Sequence, residues 1–412
     1  MEANINMPEL FEKKEDCCAC GACLNICKNQ AITMKEDEYG YVYPVIDYKK
    51  CSNCGMCKRV CMFQKERKLN SPLETYAAVS KDNNLRMNSS SGGIFASLAT
   101  FILEKGGIVC GAAFSNDLKV NHLIIEEKSQ IYKLQGSKYV QSNIKNTFTD
   151  VRRFLLQGKV VLYSGTPCQI DGLYGFLQKE YKNLITIDII CHGVPNNRMF
   201  LEYIKEIEKD KDQTIKQFNF RDKSLGWGIN GSAMVKKKNN RIVKEVIWQS
   251  SSSYLHFFSK GWIYRDSCYK CKYASKNRTA DLTIGDYWGI EQQHLNFLDK
   301  DQWNESKGIS VVLANTEKGK KILEKSRNYI DLKESNFNNA ANANGQLRHP
   351  SQPGKRNEVL CIYKDGSWEA VEKFFKKEIG WKRYLSQFKM MVPKFIKRKL
   401  KCMKKEKVRC NE

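Results

Sequence analysis

Eight of the chain's seventeen cysteines fall in two tight runs, Cys17-x2-Cys20-x2-Cys23-x3-Cys27 and Cys51-x2-Cys54-x2-Cys57-x3-Cys61, which repeat at an offset of 34 residues. Three thiolates at this spacing wrap one cubane iron–sulfur cluster, and the fourth, three residues on, reaches across to a second. The wiring this implies puts Cys17, Cys20, Cys23 and Cys61 on one four-iron cluster, and Cys51, Cys54, Cys57 and Cys27 on the other. Lys28 and Met62 stand where a proline usually follows the fourth cysteine, which leaves the ligands themselves intact. Two zinc sites are the competing reading, but the interleaved three-plus-one spacing favours iron. Cys18 is left over and is expected to pack quietly as a small apolar side chain. Chemistry of this kind moves single electrons, so the question becomes where they go.

Four more cysteines occupy suggestive places. Cys168 ends the run Gly165-Thr166-Pro167, directly after an apolar strand, and Cys191 ends the next strand with His192 and Gly193 behind it. Cys268 and Cys271 form a lone x2 pair. In an α/β sheet the ends of neighbouring strands converge on one crevice, so these thiols could share a site. Spacing alone leaves three readings open: a third metal or cluster site, buried small side chains like Cys110, or a dithiol redox pair. Upstream, Asn88-Ser89-Ser90-Ser91-Gly92-Gly93 precedes an apolar helical run. Such a loop offers free N–H groups to an anion such as a phosphate, or simply caps the helix. The dinucleotide fingerprint Gly-x-Gly-x-x-Gly is missing.

The elements that must position these residues follow from periodicity. Residues 14–63 form the cluster module, with a hairpin-like stretch around Gly40 between its halves. After it, TYAAVS, IVCGAAF, KVVLYSG and LITIDII read as buried strands alternating with helices, and two antiparallel strands meet at Asn239 and Asn240. GISVVLANTEKGKKILEK reads as a last strand and helix. The expected fold is an α+β bacterial ferredoxin-like domain, then an α/β domain with a mixed sheet and an antiparallel β insertion, then a basic helical tail. The expected division is 1–63, a linker at 64–74, a catalytic domain at 75–335, and a linker with a basic amphipathic helical tail at 336–412.

At 412 residues the chain can bury a large core, and its formal net charge is +24. The charge concentrates at residues 376–409, with fourteen Lys and Arg against Glu378 and Glu406. The polar, acidic start has no signal-peptide character, and no stretch is apolar enough to span a bilayer. A cytoplasmic protein with metal-bound cysteines, sensitive to oxygen and suited to an anaerobic host, is expected. No zinc-finger, helix-turn-helix or RNA-binding signature is present, so nucleic acid is an unlikely partner. In the tail, Trp381, Tyr384, Phe388, Met391 and Phe395 share an amphipathic pattern with lysines. That pattern fits peripheral contact with the inner membrane face, a docking arm for an acidic ferredoxin, or a solvated tail.

The runs SSSGGIF, GSKYVQS, GTPCQI, CHGVP, RDSCYKC and ADLTIGDYWG resemble the family of beta subunits of coenzyme F420 hydrogenases and dehydrogenases, over roughly residues 14–330. The resemblance implies a bound FAD with a cluster beside it, ligated by Cys168, Cys191, Cys268 and Cys271. It places the flavin around Ser90, Ser91, Gly92 and Gly93, the stretch Gly136, Ser137, Lys138 and Tyr139, and the run Thr283, Gly285 and Asp286. Lys138 would neutralise the pyrophosphate or donate toward the ring, and Asp286 would accept from the ribityl chain or ring; an ordinary surface or second-layer pair is the alternative. His192 would donate a proton or order the site. The electron partner would be a ferredoxin-like carrier, the deazaflavin or a partner subunit, with a small molecule or glycan as substrate. The alternative is a non-catalytic electron-transfer subunit of a larger complex.

Overall fold

In the computed structural model, residues 9–64 and 67–380 are described. Alternating side chains at 32–46 make a hairpin, β1 (Ile32–Glu36) antiparallel to β2 (Val42–Ile46). The Asp37 carboxylate closes its turn by accepting from the Tyr39 and Tyr41 amides. Each cysteine run passes through a left-handed glycine, Gly21 or Gly55, into one short turn of helix, Ala22–Ile26 or Met56–Arg59. The sequence repeat is thus a structural repeat, two thiol-bearing turns flanking a hairpin.

The chain then builds an eight-stranded mixed sheet. Its strands are β3 (Glu74–Ser80), β4 (Ile108–Phe114), β5 (Val120–Ile125), β6 (Val161–Gly165), β7 (Leu184–Ile189), β11 (Leu282–Asp286), β12 (Ser310–Ala314) and β13 (Ile330–Ser335). Between β7 and β11 come β8 (Gln213–Asn219), β9 (Gly231–Lys237) and β10 (Ile242–Ile247), a separate antiparallel sheet with its tight turn at Asn239–Asn240. The large sheet runs β13-β3-β12-β11-β7-β6-β4-β5. Its centre, β11-β7-β6-β4, is parallel, and the pairings at both margins are antiparallel. Strand alternation sends Leu162 to the side covered by the helix Ile94–Glu104 and Tyr163 to the side covered by the helices Thr147–Leu156 and Pro167–Leu177. With both faces covered, the central strands can be apolar throughout.

Packed structure continues past 335. The helical stretch Arg356–Ile379, kinked at Gly366 and Ser367, buries Tyr363, Trp368, Val371 and Phe375 beside the helix Asn197–Lys211. Much of what reads as linker and tail is therefore core, because its aromatic residues recur at helical spacing and have a partner face to fill. The amphipathic pattern from Trp381 onward lies outside the described residues. Among the described residues no helix is long and apolar enough to cross a membrane. The small domain is fixed to the large one: Ala22 and Val60 pack with Leu173 and Phe176, and the Tyr41 hydroxyl donates to the Ile263 carbonyl at 3.0 Å. The expected linker is pinned at Asn70, by paired backbone hydrogen bonds of 2.8 Å with Arg278.

Candidate redox site

Cys17, Cys20, Cys23 and Cys61 line one cavity of about 370 Å³ in the small domain, together with Cys57, so the fold brings the first three thiols of run one to the last of run two. Backbone amides aim at sulfur in each turn: Ala19 to Cys17 at 3.4 Å, Ala31 to Cys27 at 3.3 Å, and Asn53 to Cys51 at 3.4 Å. Such N–H groups point at the atoms that would ligate iron, where hydrogen bonds to sulfur help set a cluster's potential. The Cys27 turn is tied to the Cys51 turn by the Asn29 amide, which donates to the Lys50 carbonyl at 3.1 Å. Cys54 is exposed, whereas Cys57 is buried. Burial pushes Cys17 up to about 11 with Arg265 pulling against it, and burial also raises Cys23. Those thiols are costly to ionise alone and gain most by binding a metal. The thiols line open space with backbone amides aimed at sulfur, a donor set that fits a thiolate-held iron–sulfur cluster.

The inner thiols come from three elements. Thr166 caps the helix Pro167–Leu177 in a reciprocal box with Gln169, and Pro167 opens it, so Cys168 sits in the first helical turn rather than in a loop. Parallel pairing of β6 with β7 sets Cys191 beside it. The buried Arg278 then staples the Cys268–Cys271 segment to the β7 end: it pairs with Asp188 at 2.8 Å and donates to the carbonyls of Tyr273 at 2.6 Å and Ile189 at 3.0 Å. Cys168, Cys191, Cys268 and Cys271 all line one small cavity, and so does Cys18. Cys18 also lines the first cavity. It is buried as expected, yet it stands between two groups of thiols rather than in an apolar core. Hydrogen bonds to Cys168 and Cys20 raise Cys18, and the bond from Cys18 lowers Cys168.

A third cavity, of about 330 Å³, falls in the range of roughly 300–1,000 Å³ usual for small-molecule sites. Ser90, Ser91, Gly93, Gly136, Ser137, Lys138, Tyr139, Gly285, Asp286 and His192 line it. Two expected residues do not. The Gly92 amide donates to the Ser310 hydroxyl at 2.8 Å, and a Cβ there would meet the Ala78 carbonyl at 2.3 Å, so this glycine serves close packing of β3 and β12. Thr283 points into the interior and accepts from Asn315 and Arg278. Asp286 lines the cavity with its carboxylate already engaged, paired with Arg221 and accepting from the Trp227 indole at 2.7 Å. Ser90 accepts from the Ser137 amide at 2.7 Å, which joins the two expected loops at one rim.

The cavity's electrostatics are cationic. Loss of water pulls Lys138 down to about 7, and its ammonium donates to the Gln135 carbonyl at 2.8 Å. Burial, then Arg86 and Arg221, bring Lys223 to about 7 as well; it donates to the Arg86 and Ser91 carbonyls beneath the serine loop. Lys138 and Arg221 line the cavity against Asp286, and Arg86 and Lys223 lie buried behind it, an excess of positive charge at a helix start that suits a pyrophosphate. Sequence reasoning missed Arg86, Arg221 and Lys223, which no spacing rule marks. It also missed His122, held neutral with its pKa near 4 by burial and bonded to Ser142 at 2.7 Å and the Ser164 carbonyl at 3.0 Å.

The second and third cavities share a wall made of Thr166, Cys191, His192, Gly193 and Val194. Gly193 is required in it: φ is +138°, and a Cβ would stand 2.2 Å from the Tyr264 ring. His192 opens onto both spaces, and loss of surrounding water lowers its pKa.

Comparison with known proteins agrees with this layout. Residues 16–65 match a 4Fe-4S dicluster domain. Residues 75–148 and 158–338 match the N-terminal and C-terminal parts of the coenzyme F420 hydrogenase/dehydrogenase beta subunit. A component of the F420H2 dehydrogenase of Methanosarcina mazei is 22% identical over 218 residues, 50% of this chain and 61% of that protein. The coenzyme F420-dependent sulfite reductase of Methanocaldococcus jannaschii is 25% identical over 195 residues, 46% of this chain and 29% of that protein. The aligned stretch thus covers less than two thirds of either curated relative. A chain of the F420-reducing nickel–iron hydrogenase complex of Methanosarcina barkeri aligns over 75% of this chain and 94% of its own length, at 17% identity and a TM-score of 0.42. The two beta-subunit matches together span more than half of the sequence, and the chain belongs to the family of coenzyme F420 hydrogenase/dehydrogenase beta subunits, with a 4Fe-4S dicluster domain at its N-terminus.

Proposed function

We propose that the chain is an iron–sulfur flavoprotein oxidoreductase, working between a one-electron carrier and a small-molecule substrate. The observation that carries this reading is the run of three cavities in contact. Cys18 and Phe63 border both the first and the second, and the five-residue wall from Thr166 to Val194 separates the second from the third. When bound, clusters supply one-electron steps and a flavin exchanges these for a hydride.

The residues divide the work. Cys17, Cys20, Cys23 and Cys61 hold the cluster nearer the large domain, and Cys27, Cys51, Cys54 and Cys57 hold the outer one. Cys168, Cys191, Cys268 and Cys271 hold a third. Lys138 and the Ser90–Ser91 rim take the FAD pyrophosphate in the third cavity, with Lys223 supporting that rim from beneath, and Arg221 orients Asp286 toward the same space. His192 is placed on the shared wall to hold a proton beside the substrate. The carrier docks where Cys54 is exposed among Lys28, Lys49, Lys50, Lys58 and Arg59, all exposed, a rim that suits an acidic ferredoxin.

The names of the relatives favour a second reading, in which the chain is one component of a larger oxidoreductase that completes the reaction. Anaerobic purification with iron, sulfide and flavin quantified tests the proposal. About twelve irons and one FAD per chain are expected for three four-iron clusters. About eight irons with no flavin would remove the inner site.

A further inference from the structure

Arg265 is fully buried, with 0% of its surface exposed. Among the described residues no carboxylate lies within 4.0 Å of it; the neighbouring Asp266 pairs instead with Arg356 at 2.8 Å. Its hydrogen bonds all go to neutral acceptors: the Gln141 side-chain carbonyl at 3.0 Å, the Cys17 carbonyl at 3.1 Å and the Val42 carbonyl at 2.7 Å. Tyr41 and Tyr43 present their rings at 5.5 and 4.6 Å. Gln141 in turn donates to the Cys18 carbonyl at 2.9 Å. The guanidinium therefore grips the Cys17–Cys18 backbone of the small domain from within the wall of the inner thiol cavity, which it also lines.

A buried cation without an anion is costly. The buried carboxylate beside Cys20, Asp171, is occupied by Tyr273, Lys272 at 3.6 Å and Arg67 at 3.7 Å, and does not serve Arg265. Arg265 instead lines the cavity shared by Cys168, Cys191, Cys268 and Cys271, and its bond to the Cys17 carbonyl reaches a residue that lines the first thiol cavity. Iron-loaded thiolate sites are anionic and become more so on reduction, and nearby charge is one of the levers on their potential.

We propose that Arg265 is a positioning residue that supplies the missing positive charge between the two buried cluster sites, raising the potentials of both, while leaving the outer cluster unaffected. The inference rests on the cluster assignment above. It explains why the guanidinium of a motif otherwise read for its cysteines, Arg265-Asp266-Ser267-Cys268, is turned into the interior.

The test is a mediated redox titration followed by electron paramagnetic resonance on anaerobic full-length protein, comparing wild type with Arg265→Gln, Arg265→Lys and Gln141→Glu. Gln141→Glu sets a carboxylate beside the guanidinium, so it cancels the charge even where Arg265→Gln fails to fold. Neutralisation in either way is expected to lower the reduced-to-oxidised ratio of two of the three clusters at least tenfold at a fixed potential, about 59 mV for one electron. The third cluster should not move, and Arg265→Lys should recover most of the shift. Unchanged potentials in variants that retain the wild-type iron count would overturn the role of Arg265 alone. A wild type lacking the inner iron would overturn the cluster assignment and this inference with it.

Discussion

The outer thiol turn and the inner thiol cavity gather the same side chain in opposite settings. Around Cys51, Cys54 and Cys57 the ligands come from one short segment, partly open to water and ringed by lysines. Around Cys168, Cys191, Cys268 and Cys271 they come from a helix start, a strand end and a distant loop, all tied by buried polar contacts. The outer site is thus shaped largely by its own turn and by whatever it binds, whereas the inner site is shaped by the fold. One is open to solvent and the other is enclosed by the fold.

That contrast can be broken most forcefully at Arg278. Arg278→Met leaves Asp188 buried and unpaired and frees the Cys268–Cys271 segment, an expected loss of about 3–5 kcal/mol by urea denaturation. Cys54→Ser should leave the unfolding of the α/β body near wild type, because no buried contact of the large sheet depends on it. Equal losses would mean the two sites are not differently supported. Gly193→Ala comes next, since its Cβ would enter the Tyr264 ring; about 1–3 kcal/mol of destabilisation is expected, with altered flavin absorbance.

The cavity proposed for the flavin yields a smaller effect that depends on pH. Lys138 and Lys223 sit near 7, so both are ammonium ions below that value and neutral above it. Affinity of the flavin-free protein for FAD should fall roughly tenfold from pH 6 to 8.5, and Lys138→Met should flatten the curve, as measured by fluorescence quenching. Stability without flavin should move the other way. The unfolded lysines hold their protons up to 10.5 while the folded ones have lost them, so the cost of burial is relieved as pH rises from 7 toward 10.5. The smallest effect belongs to the outer rim. Reversing Lys49 and Lys58 to Glu should slow reduction by an acidic ferredoxin several-fold at low salt and hardly at all at high salt.

The difference between the two regions also decides what is legible in the sequence. The eight N-terminal cysteines are legible because their geometry is local: an x2 spacing on a turn is already a ligand set. The inner four can be placed at strand ends from apolar periodicity, but their convergence depends on β6 and β7 being neighbours. Cys18 reads as a spare because nothing local shows that its neighbour across the domain junction is Cys168. Arg265, Arg86 and Lys223 are invisible for a related reason. A buried cation has the same letter as a solvated one, and only the packed structure shows which is which. Gly92 and Thr283 go to the flavin by their motifs, whereas packing claims them. The residues after 335 read as linker and tail because the charge of the extreme end dominates the composition, while Trp368 and Phe375 are core.

The most direct test follows electrons across the shared wall. Anaerobic protein is mixed with reduced ferredoxin in a stopped-flow instrument, and cluster and flavin absorbance are followed in wild type and in Cys191→Ser. Wild type should show cluster bleaching followed by flavin bleaching; the variant should keep the first and lose or greatly slow the second. Flavin bleaching at an undiminished rate in a variant shown to lack the inner iron would contradict the account.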